Sequence, residues 1–332
     1  MRERERERER ERVMADKPSR ALVIYGDGVA PAVSPSHSHL HSFASRASCG
    51  FLSLRNSPPD EAENDRAIRE LAQLLDAYDF GLSRIGKHGE ADAVGDSKEI
   101  SLPSISERFM GLRAAISTDC PIVGSFARSL GFDFLHLDEH FEEVPDKPIS
   151  SESELLSLLG FSKGNVQEKC EFDLVLLHIK AGENSKDQKK LPGSTVADWL
   201  DRLVGGIMET ALPGPSIASR LHCSIVLSYG TISEGLEQCS LTTNSSVDAN
   251  PDLDLLRPHQ SYSMKGGNIL SDIRHDYPML VAQWQEGVTR KDMANVFSFQ
   301  EFKEHGGNLA ILADRFLHEV AFKLWKAPKY GA

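Results

Sequence analysis

The sequence contains no CxxC pair, and its five cysteines, Cys49, Cys120, Cys170, Cys223 and Cys239, are widely spaced and odd in number. That usage fits reduced thiols and argues against a disulfide framework or a structural zinc. No apolar stretch approaches the roughly 20 residues a membrane-spanning helix needs, so no membrane partner is expected. Positive charge is in deficit, with 37 Lys and Arg against 49 Asp and Glu and a net charge of −12. Phosphate backbones are bound by clustered cations, so nucleic acid is not an expected partner. There is no GxSxG, no Walker loop, no GxGxxG after a strand and no HExxH, which removes the local signatures of several large enzyme classes. The opening "MRERERERERERVMADKPSR" has no apolar core and too many acids for a transit peptide. It reads as a disordered Arg-Glu tail over residues 1–20, with translation expected to begin at Met14 and the protein expected in the cytoplasm.

What is present is ordinary for a globular chain: 40% hydrophobic and 26% charged residues. "ALVIYGDGVAPA" (21–32) is an apolar strand that stops at a glycine-flanked Asp27. Ligands gather at such strand ends in open α/β sheets. A helix is expected over 36–46 and a strand over 50–54. "SPPDEAENDRAIRELAQLLDAYDF" predicts a helix capped by Ser57, with acids at its positive end and Ile68, Leu71, Leu74 and Leu75 at helical spacing. Strand 112–118, helix 120–131 and strand 133–137 form a second unit, with Gly131 ending its helix. A short helix over 153–159, strand 172–181, helix 194–212, strand 223–230, strand 277–285 and a final helix over 308–325 complete the pattern. Strands alternating with helices predict an α/β fold, a doubly wound and mostly parallel sheet with helices on both faces. A single domain is expected over 21–330, with flexible loops near 86–104 and 231–272.

Candidate chemistry is sparse. Asp27 at a strand end is either a metal ligand or a turn cap. Glu183 and Asp187, four apart, would share a helical face able to hold a divalent cation, or else belong to a lysine-rich surface loop. His275, just before a strand, has the chemistry of a ligand or an acid-base group. In "HSHLH" a helix would place His37 and His41 on one face and His39 elsewhere, which favours a solvated helix end over a metal box. The Gly-Gly pairs at 266–267 and 306–307 are ordinary turn vocabulary, and Asp119 beside Cys120 works against an activated thiol.

The order of segments goes further. "LVIYGDGVA", "HLHSFASRASCGFLS", "LRAAISTDCPIVGSFARSLGFDFLHL", "FDLVLLHIKAGENSKDQKK", "STVADWLDRLVGG" and "CSIVLSYGT" together resemble the archaeal-type cofactor-independent phosphoglycerate mutases of the alkaline phosphatase superfamily. The resemblance runs from about residue 21 to 325 and includes the closing "FSFQEFKEHGGNLAILADRFLHEVAFKL"; the sequence also resembles uncharacterised plant proteins grouped with this superfamily, which look closer still.

The resemblance implies an alkaline-phosphatase-like core with two divalent metals at the carboxyl ends of the strands and a Ser or Thr nucleophile. Asp27 matches the family's first metal ligand. Glu183 and Asp187 stand where it has an Asp and a His, Tyr229 and Gly230 stand where it has an Asp-His pair, and His275 matches a late His with a shift of one residue. Ser57 is the only hydroxyl near the expected nucleophile position. The cap domain is largely missing, since only a polar loop separates that helix from "RAAIS". The expectation is a catalytically degenerate member of the superfamily, leaning away from enzyme activity, that binds a small phosphorylated metabolite or a protein. The alternative is a metal-dependent phosphohydrolase or phosphomutase with rearranged ligands, in which Asp27, Glu183, Asp187 and His275 hold one Mg²⁺ or Mn²⁺.

Overall fold

The computed structural model describes residues 19–58, 60–85, 101–135, 150–162, 164–182, 193–212, 215–232, 239–241, 261–307 and 309–328. The apolar run after Ser19 becomes β1 (Arg20–Asp27), buried along its whole length. Alternate residues of a strand face opposite sides, and here both sides are covered. Leu22 and Ile24 join a cluster with Leu40, Phe43, Leu155, Leu200 and Leu203, while Ala21, Val23 and Tyr25 join another with Ile68, Leu71, Val123, Phe126, Phe316 and Leu317.

The other strands of the main sheet are β2 (Ser48–Ser53), β3 (Ala114–Thr118), β4 (Asp133–Leu135), β7 (Leu174–Lys180), β8 (Leu221–Leu227), β11 (Met279–Trp284) and β12 (Ala310–Leu312). Two hairpins, β5 (Phe161–Ser162) with β6 (Asn165–Val166) and β9 (Met264–Lys265) with β10 (Asn268–Ile269), lie outside it. The sheet order is β12-β2-β11-β8-β1-β7-β3-β4. Pairings are parallel except those of β11, which runs antiparallel to both β8 and β2. Helices α1 (Ser38–Ala44), α2 (Glu63–Leu74), α3 (Tyr78–Leu82), α4 (Ile105–Arg108), α5 (Pro121–Ser129), α6 (Ser150–Leu158), α7 (Gly193–Ala211), α8 (Pro215–Ala218), α9 (Phe299–His305) and α10 (Phe316–Lys323) complete it. This is the expected α/β architecture, a mostly parallel sheet between two helical layers. No helix among the described residues is long and apolar enough to cross a membrane.

Three local expectations differ. Helix α2 begins at Glu63 with Ala62 at its N-cap and no side-chain cap, so Ser57 does not cap it. Two prolines follow Ser57, and a residue before proline is held out of the helical region. The expected helix over 308–325 is divided. Ala310–Leu312 pair in parallel with Phe51–Ser53 as an edge strand, and only Phe316–Lys323 form the helix. Within 231–272, the described residues 261–269 form a 3-10 turn and the β9–β10 hairpin rather than irregular chain; residues 1–18, 86–100, 233–238 and 242–260 lie outside the described residues.

Candidate functional site

β1 lies between β7 and β8, so its carboxyl end is flanked by theirs, and α2 brings a third set of side chains to the same place. Asp27, fully buried, closes β1. Its Oδ1 accepts from Arg66 Nη1 at 2.7 Å and from Ser228 Oγ at 3.3 Å. Arg66 Nη1 also donates to Glu70 Oε2, one helical turn along, at 3.0 Å. The Tyr25 hydroxyl donates to the same Glu70 oxygen at 3.1 Å, and Arg274 Nη2 stands 3.7 Å from Glu70 Oε1. Two carboxylates and two guanidiniums thus form one buried network.

Its far side is built from β7 and β3. His178 Nε2 is 3.8 Å from Asp27 Oδ2, and His178 Nδ1 is 2.8 Å from Thr118 Oγ1. Thr118 Oγ1 also accepts from the Cys120 amide at 3.1 Å. Asp27 Oδ2, His178 Nε2 and Glu70 Oε1 make no hydrogen bond among the described residues.

The titration of these groups follows from burial and pairing. Burial pushes the Asp27 carboxyl up, but His178 and the Arg66 guanidinium outweigh it and hold the group well below its ordinary 3.8. For Glu70, burial wins over Arg66 and raises the carboxyl above 4.5. Burial, Asp27 and Glu70 together raise Tyr25 well above 10.0. Burial would lower Arg66, yet its two carboxylates raise it, so it is a fixed cation.

The turns above the network are glycine because they touch. Gly28 and Gly230 have φ of +74° and +67°, and a Cβ on Gly230 would lie 2.9 Å from Gly28 Cα and 3.9 Å from Arg66 Nη2. The Gly28 amide donates to Ser228 Oγ at 3.1 Å. Lys180, at the end of β7, pairs with Glu63 Oε1 at 2.8 Å at the start of α2.

Of the residues singled out from sequence, Asp27 lies in this network. Glu183 and Asp187 lie outside the described residues. His275 is exposed and its Nδ1 is 3.3 Å from the Tyr262 hydroxyl; the neighbouring Arg274 is the side chain that reaches Glu70. Ser57 is half-buried ahead of α2. Tyr229 is buried and donates to Cys239 Sγ at 3.3 Å. The histidines of "HSHLH" diverge: His39 is exposed and His41 half-buried, as at a solvated helix end, whereas His37 is not solvated. His37 is buried, its Nε2 3.1 Å from Asp198 Oδ1, His41 Nδ1 accepts from the Phe297 amide at 3.1 Å, and His39 packs over Gly205.

Arg66, Glu70, His178 and Arg274 were not singled out in the sequence. Arg66 and Glu70 are an i,i+4 ion pair in a charged run, which has the look of a solvated face. The available signal was Glu70 and Gln73 sitting between apolar positions of a helix whose residues from Arg66 to Leu74 are all buried.

No protein-family model matches the chain, and no curated protein does. Among solved structures, the PH0037 protein from Pyrococcus horikoshii matches with a TM-score of 0.56 at 13% identity, over 95% of this chain and 99% of that one. A cofactor-independent phosphoglycerate mutase from Thermoplasma acidophilum matches with a TM-score of 0.44 at 11% identity, over 92% of this chain and 99% of that one. The lipoteichoic acid synthase LtaP from Listeria monocytogenes matches with a TM-score of 0.46 at 10% identity, over 95% and 74%. The chain shares the fold of the PH0037 protein, with its own mostly parallel eight-stranded sheet between helices. At these identities the likeness concerns the fold alone.

The resemblance read from the sequence raises the question of divalent metals at Asp27, and the described residues around it do not fit them. Among the described residues no three His, Cys, Asp or Glu side chains are placed to hold an ion. Tyr229 and Gly230 supply no donor to the network, and Asp27 Oδ1 already faces a cation. A further cation about 4 Å from the guanidinium would meet a repulsion of roughly 4 kcal/mol per unit charge at an effective dielectric near 20.

Proposed function

We propose that this chain is a catalytically degenerate protein on an alkaline-phosphatase-like fold, whose work is binding rather than phosphoryl transfer. One observation carries the reading: the Arg66 guanidinium bonds Asp27 Oδ1 at 2.7 Å inside a fully buried site. A metal-assisted centre needs an open coordination position and a substrate beside it. Here a protein cation takes the carboxylate, and Gly28 and Gly230 meet above it. Losing that electrostatic stabilisation removes what is usually the largest contribution to such catalysis. The sheet then persists as a platform for a phosphorylated metabolite or a protein.

The test is an assay of purified protein with p-nitrophenyl phosphate and 3-phosphoglycerate, in the presence of Mn²⁺, Zn²⁺ or EDTA, beside the Asp27→Asn variant. Turnover should not exceed that of the variant, and neither the metals nor EDTA should move the melting temperature. Metal-dependent turnover that disappears in Asp27→Asn would overturn the proposal and support the rearranged-ligand phosphohydrolase.

A further inference from the structure

The segment from Tyr262 to Tyr277 carries the β9–β10 hairpin and reaches α2 at two places. Arg274 Nη2 stands 3.7 Å from Glu70 Oε1 in the Asp27 network, and Lys265 Nζ is 3.1 Å from Asp76 Oδ1, just beyond the end of the helix. The segment itself is shallow. Tyr262 and Ile273 alone are buried in it, while Lys265, Gly266, Gly267, Asn268 and Ile269 are exposed. Few buried apolar contacts mark the parts of a protein that open at far lower cost than global unfolding. β1, by contrast, is buried along its whole length and bonded on both edges.

Polar contacts fasten it. The Arg274 amide donates to Leu54 O at 2.8 Å, the Asn56 amide donates to Asp272 O at 2.6 Å, and Arg55 Nη1 pairs with Asp272 Oδ2 at 3.0 Å. At the hairpin end the Lys265 ammonium also lies 2.7 Å from Asp314 Oδ2, ahead of α10. Its two carboxylates depend on it unequally. Asp76 keeps Arg108 Nη2 at 3.2 Å and His318 Nε2 at 3.3 Å. Asp314 is buried, Lys265 is its ion pair among the described residues, and its Oδ1 makes no hydrogen bond among them. Breaking a buried pair by removing one partner is costly, so Lys265 is the contact on which the closed position of the hairpin turns.

We propose that residues 262–277 form a latched strap: Lys265 holds it closed, and release of Lys265 withdraws Arg274 from Glu70 and opens the Asp27 network to solvent. The inference rests on the reading of that network as a closed site and adds the element that closes it. Tyr277, three residues beyond Arg274, packs its ring 5.3 Å from that of Tyr229, beside the Gly230 turn. The same segment therefore borders both Glu70 and the turns above the network. The Lys265 side chain is 48% exposed, so salt or an anion competing for its ammonium favours the open state.

Hydrogen–deuterium exchange of the full chain, read by peptide mass spectrometry, measures the opening. Carbodiimide labelling measures whether Glu70, 1% exposed, becomes reachable. In Lys265→Met, exchange over 262–277 should rise at least about fivefold while β1 stays protected. Glu70 labelling should rise with it, and exposed Glu107 is the control that should not change. If Lys265→Met does not fold by near-ultraviolet circular dichroism, the wild-type chain in sodium chloride raised from about 0.05 to about 1 M gives the same reading, since screening weakens a half-exposed pair more than a buried one. Unchanged exchange over the strap, acceleration that extends to β1, or faster exchange with Glu70 still unlabelled would overturn the proposal. Neither readout depends on turnover. Phosphatase activity would defeat the reading of the site as degenerate and leave the strap standing, whereas a rigid strap would leave that reading in place.

Discussion

Arg66 and Asp27 meet at 2.7 Å with Asp27 wholly out of solvent, and the same guanidinium nitrogen reaches Glu70 at 3.0 Å. Removing one partner of a buried charge cluster leaves the others uncompensated, at a cost of about 3–5 kcal/mol. Arg66→Met should therefore lower urea-unfolding stability at pH 7 by about that amount. The loss should shrink toward pH 5, where the orphaned carboxyls take up protons, and Arg66→Met combined with Asp27→Asn should recover part of it. A uniform loss of less than about 1 kcal/mol would show the pair to be dispensable.

The acid limb of the stability curve gives a second test. Asp27 is held below its ordinary 3.8, so its contribution is complete above that value and is lost as pH falls through the lower folded-state value. Glu70 is raised above 4.5 and has the opposite sign: its contribution is complete below that value and is lost as pH rises through the folded-state value. Asp27→Asn should flatten the decline below pH 4, as read by unfolding free energies measured from pH 2 to 5.

His222 predicts a separate slope nearer neutrality. It is fully buried in β8, and burial together with Lys323 pushes it down to about 3 from an ordinary 6.5. Below 6.5 the unfolded chain binds a proton that the folded chain refuses. Stability is therefore complete above 6.5 and falls as pH drops toward 3, by about 1.4 kcal/mol per unit. Moving from pH 7 to 5 should cost on the order of 2 kcal/mol, and His222→Gln should abolish that part of the dependence.

Gly230→Ala should destabilise the fold by roughly 1–3 kcal/mol, since it combines a left-handed backbone with a Cβ that would sit 2.9 Å from Gly28 Cα. Gly266→Ala serves as a control: it also has positive φ, at +57°, but nothing lies within 4 Å of an added Cβ. Similar losses in both, measured by urea unfolding, would mean that backbone strain alone matters and that the contact over the network does not.

The strands were readable because burial on both faces requires near-continuous apolar runs, as in Leu174–Ile179 and Leu221–Leu227. β12 was not. Three residues, Ala310–Leu312, merge with the apolar spacing of the helix after them, and only a partner distant in sequence, Phe51–Ser53, makes them a strand. The site was legible at Asp27 because the chain itself punctuates that strand end with glycines. Arg66 was not legible, since "ENDRAIRE" reads as a charged helix start, and its partner Asp27 and the Gly230 turn beside it are distant in sequence. The HxK spacing of His178 and Lys180 likewise carries no mark of what lies opposite each side chain.

The placement of β11 bears on how the protein is made. β2 is synthesised early, but its two hydrogen-bonded neighbours are β11 and β12. Until residues 279–284 and 310–312 have left the ribosome, β2 has both edges bare and Phe51 has no ring from Phe299 or Phe302 against it. One flank of the sheet therefore forms only after nearly the whole polypeptide is available, a non-local assembly of the kind that folds slowly. A chain truncated before Met279 would present unpaired strand edges of the kind that recruit other molecules into aggregates.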